Sequence, residues 1–201
     1  FMNINHLFNK EKTEEEHLTQ LNMFKNVDFT GFNLDKLNVD VIQEFEDCID
    51  IFQPNFIAFS IWGSHLHAEG EFHAYFYGLK IIEMSDTKGI KIIVGGTVPT
   101  WDTIDVLRHP KINYVVKGEG ELAFLEIADR LDKNEDLNGI QNLWINKGNG
   151  EIEQNDMRPL IDPLDNLPHA DFDIYDDRTF FRPYHGEMVR CVDYELSRGC
   201  V

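Results

Sequence analysis

The sequence predicts an α/β fold: a doubly wound parallel sheet of about five strands with helices on both faces, then a β-hairpin and an extended connector. Three observations lead there. Short apolar runs end in turn residues, segments of helical period lie between them, and sustained periodicity stops after Leu131.

The apolar runs are Asn55 to Trp62 (NFIAFSIW), Lys91 to Val94 before Gly95-Gly96, and Asn113 to Lys117 before Gly118. Rich in Ile, Val and Phe with little alternation, they are expected to be strands buried on both faces, as in a parallel sheet. Val39 to Phe52 repeats apolar residues every three or four positions, and Glu119 to Leu131 does the same through Leu122, Leu125, Ile127, Ala128 and Leu131. His65 to Met84 is a longer amphipathic segment. Strand and helix alternate, which requires right-handed crossovers and a Rossmann-like or flavodoxin-like topology. In the first forty residues, Met2 to Phe8 and Val27 to Phe32 are candidate strands around a charged helix, Lys12 to Phe24, and would complete the sheet.

Beyond Leu131, Asn142 to Asn146 and Glu151 to Gln154 flank the glycine-rich Lys147-Gly148-Asn149-Gly150 and predict a hairpin. Met157 to Tyr184 holds four of the seven prolines and many aspartates, which predicts an extended connector. The expected organisation is an α/β domain over 1–135, hairpin and connector over 136–189, and the start of a further domain over 190–201.

Composition excludes several functions. With 36 acidic against 18 basic residues the formal charge is −18, a surface that repels nucleic-acid phosphates and anionic lipid. No apolar run approaches the roughly 20 residues of a membrane span, and the amino terminus lacks a signal-peptide pattern, so a cytoplasmic setting without nucleic-acid or membrane partners is expected. Cys48, Cys191 and Cys200 are odd in number and scattered, which fits reduced thiols better than a disulfide framework.

In an open parallel sheet, ligands bind beyond the carboxyl ends of the strands. The first strand ends in Ser60-Ile61-Trp62-Gly63, the second in Gly95-Gly96-Thr97-Val98-Pro99-Thr100, and the third in Gly118-Glu119-Gly120-Glu121. Paired glycines let a ligand approach the backbone, Pro99 or Thr100 can start a helix, and Glu119 and Glu121 suit a helix N-terminus. No loop matches a P-loop or a GxGxxG fingerprint.

FIAFSIW, IIVGG followed by TVPT, YVVKGEGE, the LWI hairpin, RPLIDPLDNLPHADFD and the terminal ELSRGC together resemble the cobalamin-binding domain of cobalamin-dependent radical S-adenosylmethionine (SAM) enzymes. The resemblance runs from Phe56 to Cys200 and implies a cobalamin-binding module. Ser60, Ile61, Trp62, Gly63, Gly95, Gly96, Thr97, Pro99, Gly118, Glu119 and Gly120 are the cofactor-binding candidates it singles out. Trp62, ahead of Trp101, is the candidate wall for the corrin. Cys200 matches the first cysteine of the family's CxxxCxxC motif, so the resemblance implies a 4Fe-4S cluster and SAM in the full-length protein, held by a radical SAM barrel that follows. Val201 stands where proline is usual. The DxHxxG histidine that ligates cobalt in methionine-synthase-type domains has no full counterpart: His17, the nearest, lacks both the aspartate and the glycine.

For the whole enzyme the resemblance implies cleavage of SAM by a reduced cluster and methyl transfer or related radical chemistry; this segment supplies the cobalamin platform and no acid, base or nucleophile. The isolated segment is then expected to bind cobalamin weakly or not at all, because the barrel would cover the upper face of the corrin. Two other readings stay open at this level. One is a cofactor-free scaffold of a radical SAM protein, and the other is a flavodoxin-like domain that binds flavin or nucleotide.

Overall fold

The structure, a computed structural model of the 201-residue chain, describes residues 40–61, 73–184, 187–192 and 198. The chain divides into two compact units, 42–161 and the pair of segments 1–41 and 162–201.

In the first unit five strands form one sheet, side by side in chain order. Strands β1 (Phe56–Ser60), β2 (Lys91–Gly95) and β3 (Tyr114–Val116) run parallel, with Ser60 beside Gly95 and Gly95 beside Val116. All three lie where the apolar runs place them. Helix α1 (Val41–Phe52) precedes β1, α2 (His73–Met84) joins β1 to β2, and the short α3 (Thr97–Trp101) and α4 (Thr103–Leu107) join β2 to β3. Helix α5 (Glu121–Asp132) follows β3.

Both faces of β2 are covered, which is why its apolar run does not alternate. Ile92 and Val94 pack with Ile82, Val106, Leu107 and Val115 on one face. Ile93 packs on the other with Val116, Ala123 and Ile127 of α5. Ile92, Ile93 and Val94 are all 0% exposed, so β2 is an interior strand buried on both faces. Phe45 of α1 reaches the first face, its ring centroid 5.7 Å from that of Phe59.

The predicted hairpin forms, as β4 (Leu143–Gly148) and β5 (Glu151–Glu153), around Asn149 and Gly150 with φ of 53° and 81°. Positive φ at both central residues matches the right-handed twist of the flanking strands. The sequence expects this hairpin after the sheet, whereas in the structure it extends the sheet. Strand β4 pairs antiparallel with β3, Val116 opposite Leu143 and Tyr114 opposite Ile145, which makes the sheet mixed. The physical reason is edge protection: β3 would otherwise present an unpaired ladder, and Leu143 and Ile145 complete the layer under α5. Asn146 fastens the hairpin, its side-chain amide donating to the carbonyls of Leu107 (2.8 Å) and Ile112 (3.2 Å).

In the second unit, the stretch expected as connector holds three 3₁₀ turns, Leu164–Asn166, Phe172–Ile174 and Asp177–Phe180. Strands β6 (Phe181–Tyr184) and β7 (Glu187–Arg190) then pair antiparallel, a hairpin the sequence did not announce. Phe180 is its anchor: buried, edge-on to Phe172 and Tyr175, and covered by the Arg190 guanidinium at 5.2 Å. The strands expected over Met2 to Phe8 and Val27 to Phe32, the helix over Lys12 to Phe24, and 65–72 of the predicted helix lie outside the described residues. Among the described residues no helix is long and apolar enough to cross a membrane.

Replacing Ile93, 0% exposed, by alanine should cost about 3–4 kcal/mol by opening a cavity between β2 and α5. The same change at Ile51, 75% exposed, should cost less than about 0.5 kcal/mol. Urea denaturation of the two variants checks the contrast.

Candidate functional site

The three loops singled out in the sequence converge at the carboxyl edge of β1, β2 and β3. Ile61 continues β1 past its last ladder residue, donating its N–H to the Gly95 carbonyl at 2.7 Å while its side chain enters the core, 2% exposed. This brings the Ile61 backbone against Gly96. A Cβ at Gly96 would stand 2.1 Å from the Ile61 carbonyl oxygen and 2.7 Å from its carbonyl carbon, and Gly96 has φ 115° and ψ −172°. Both the contact and the conformation demand glycine. Gly95 differs, since its Cβ would meet Val116 only at 3.7 Å, an ordinary contact.

Gly96 starts α3, with Thr97 half-buried and Pro99 buried. Thr100 then ties two loops together. Its hydroxyl donates to the Gly96 carbonyl at 2.7 Å and accepts the Gly118 N–H at 3.0 Å. Gly118 is left-handed, with φ 77°, and the Met157 methyl would lie 2.6 Å from a Cβ there.

Glu119 ties its loop to two other segments. Its carboxylate accepts the Ile161 N–H at 2.8 Å, and its carbonyl accepts the Asn142 side-chain amide at 2.9 Å. Asn142, 2% exposed, also accepts the Arg158 N–H on its side-chain oxygen and donates its own N–H to Asp156 at 2.8 Å. The segment 156–161 is thereby strapped to the third loop. A cleft of about 110 Å³ lies beneath the strap, lined by Gly118, Leu122, Met157, Leu160 and Ile161 among others. It is far below the roughly 300–1,000 Å³ of sites for drug-sized ligands. Gly120 caps α5 with φ −95°, a conformation open to any residue.

Glu126 on α5 anchors the same strap, accepting from Arg130 at 2.5 Å and from Arg158. Burial pushes the Glu126 carboxyl up, but the hydrogen bonds and charges of Arg158 and Arg130 outweigh it and hold the group below its ordinary value.

One stretch of the sheet near this edge is open. Ala58, Ser60 and Gly95 lie on the face that α5 covers further along, where α5 packs over Ile93, Val116 and Leu143 and Phe124 meets Phe56 of β1, centroids 6.3 Å apart. Ala58 and Ser60 are exposed, and Ser60 sits in register with Gly95. The result is a strip floored by small residues, leading to the paired glycines. Small side chains on a strand leave its backbone approachable by a flat or elongated organic group.

Trp62, Gly63 and Cys200 lie outside the described residues. Trp101 is described, and at 81% exposure it takes no part in the core. Thr100 and Asn142 were not among the sequence candidates; a threonine four residues after a paired glycine, and a buried asparagine at φ 70°, are the traces they leave. Among the described residues no group of three or more His, Cys, Asp or Glu side chains is placed to hold a metal ion.

The family model of the B12 binding domain matches residues 18–128, more than half of the chain and all three loops. An uncharacterized methyltransferase of Pyrococcus horikoshii is 34% identical over 125 residues, 62% of this chain and 26% of the relative. An anaerobic magnesium-protoporphyrin IX monomethyl ester cyclase of Synechocystis is 29% identical over 110 residues, 54% of this chain and 21% of the relative. Among solved structures, the cobalamin-dependent S-adenosylmethionine radical enzyme OxsB with aqua-cobalamin and S-adenosylmethionine bound aligns with a TM-score of 0.40 and 19% identity, over 60% of this chain and 16% of that one. The chain thus spans about a quarter or less of the length of the curated relatives it matches.

Gly96→Ala should destabilise the fold by more than about 3 kcal/mol, strain and backbone collision together, whereas Gly95→Ala should stay within about 1 kcal/mol. Thermal unfolding of both checks this. Glu126→Gln should cost about 1 kcal/mol at pH 7. Because the folded carboxyl titrates below its ordinary value of 4.5, that deficit should be complete above pH 4.5 and vanish as pH falls through the depressed folded value. Denaturation of wild type and variant across that range reads it.

Proposed function

The chain belongs to the B12-binding domain family, and from that premise we propose that the strip of Ala58, Ser60 and Gly95 seats the nucleotide tail of cobalamin, with Gly96 and Gly118 shaping its end. The observation that carries this placement is the uncovered strip itself: small residues on adjacent strands, exposed Ser60 beside Gly95, at the carboxyl edge of a parallel sheet. The residues present fit the group, because a long flat ligand needs a floor without protruding side chains and a backbone it can approach.

Cobalamin, when bound, supplies a cobalt centre that can carry a methyl group. The chain's own residues bind and orient. Ser60 offers a hydroxyl that can donate and accept at the strip, and Gly95 offers contact without a side chain. Thr97 and Pro99 shape the α3 end of the bed, and the Gly118 to Gly120 turn closes it. Ile61 acts beneath, its core anchorage holding the Gly96 turn in place.

In the longer protein, this module is read as the partner of a radical SAM barrel. The terminal ELSRGC supports that reading, with 190–201 as the start of the barrel and Cys200 as the first ligand of a 4Fe-4S cluster that would hold SAM. The activity proposed for the whole is methyl transfer or related radical chemistry in the cytoplasm. Trp62 and Gly63 are proposed to continue the bed beyond Ile61.

Ser60→Leu tests the placement. Ser60 is exposed, so the variant should unfold within about 0.5 kcal/mol of wild type. It should bind hydroxocobalamin at least tenfold more weakly in a titration of the full-length protein followed by absorbance, at least about 1.4 kcal/mol. Equal affinity would move the tail elsewhere. Full-length wild type that binds no cobalamin but binds flavin mononucleotide would replace the reading with the flavodoxin-like one, and binding of neither would favour a scaffold.

A further inference from the structure

We propose that Thr100 is a positioning residue for the cobalamin bed, a role that rests on the reading of the β1–β3 edge as the cobalamin site. Its hydroxyl locks the Gly118 turn to the Gly95-Gly96 turn, so that the loops after β2 and β3 present one continuous surface.

The geometry points to this through the hydrogen-bond capacity of a single oxygen. A threonine hydroxyl has one proton to give and lone pairs to accept with. The proton goes to the Gly96 carbonyl at 2.7 Å, a carbonyl that also accepts the Thr100 main-chain N–H at 3.1 Å. With that proton committed, the oxygen's lone pairs are left for the Gly118 N–H, which donates at 3.0 Å. The bond spans 18 residues and joins helix α3 to the β3–α5 loop.

Strand pairing cannot do this job. The β2–β3 ladder ends at Gly95 and Val116, before either turn begins. Past that point Gly96 is fixed toward β1 by its contact with Ile61, but nothing in the ladder fixes Gly118 toward Gly96. Helix α3 is only five residues long, and it is held in turn by the buried Thr103, whose hydroxyl donates to the Pro99 carbonyl at 2.7 Å. Thr100 therefore sits on a braced element with one donor and one acceptor bond, each directed at a glycine of the site.

A ligand bound across both turns needs their spacing preset, since ordering a loop at the moment of binding subtracts from affinity. Thr100→Val keeps the shape and deletes the hydroxyl; Thr100→Ser keeps the hydroxyl. Thr100→Ala deletes the hydroxyl without setting a methyl against the Gly118 N–H, and serves if the valine variant fails to fold.

The test combines hydroxocobalamin titration of the full-length protein with hydrogen–deuterium exchange of the peptide containing Gly118, measured without cobalamin. Wild type should bind. The valine or alanine variant should bind roughly tenfold more weakly and exchange at Gly118 about fivefold faster or more, and serine should restore both to within about threefold of wild type. Wild-type binding with unchanged affinity in the variants lacking the hydroxyl overturns the positioning role, as does a serine variant that behaves like valine. Absence of binding by wild type overturns the cobalamin reading and this role with it, and the wild-type measurement separates the two failures.

Discussion

Ile61 extends β1 one residue beyond its ladder, and its backbone lies so close to Gly96 that no side chain fits between them, a would-be Cβ standing 2.1 Å from the Ile61 oxygen. Much of the site follows from that contact. The Ile61 side chain anchors in the core with Ile82, Ile92 and Val94, so the exit of β1 is fixed from below. Gly96 must then take a conformation open only to glycine, and that conformation directs the chain into α3 at an angle that brings Thr100 back toward Gly96 and across to Gly118. Packing in the core thereby sets the shape of the edge.

The opposite end of the third loop is held by different chemistry. Glu119 and Asn142 exchange hydrogen bonds with the 156–161 strap, and Glu126 pairs with Arg158 of that strap and with Arg130 of its own helix. Partly shielded, charge-assisted bonds of this kind contribute more than exposed ion pairs do. The Gly118–Glu119 turn is consequently held from both sides, by Thr100 and by the strap. A binding surface with both flanks fixed loses little conformational freedom when it engages a ligand.

The parallel core was legible because a strand buried on both faces leaves a run such as Ile92-Ile93-Val94 that no exposed segment would carry. The hairpin was legible from Asn149-Gly150, whose turn chemistry is local. That it pairs with β3 was not, since Leu143 opposite Val116 is a contact between distant residues and no local pattern encodes it. The same distinction runs through the site. Paired glycines announced a turn, but which of them is obligatory depends on Ile61, more than thirty residues earlier. Glu119 invited a helix-dipole or ligand role; its carboxylate serves Ile161, 42 residues away. Thr100 looked like any helix-start threonine because its second partner, Gly118, lies 18 residues on, beyond β3.

The central claim is that the small-residue strip beside the Ile61–Gly96 contact is a cobalamin seat. A crystal structure of the full-length protein grown with hydroxocobalamin tests it most directly. The nucleotide tail should lie along Ala58, Ser60 and Gly95, its end against Gly96 and Gly118. Cobalamin bound on another surface, with side chains from elsewhere in the protein filling the strip, would contradict it.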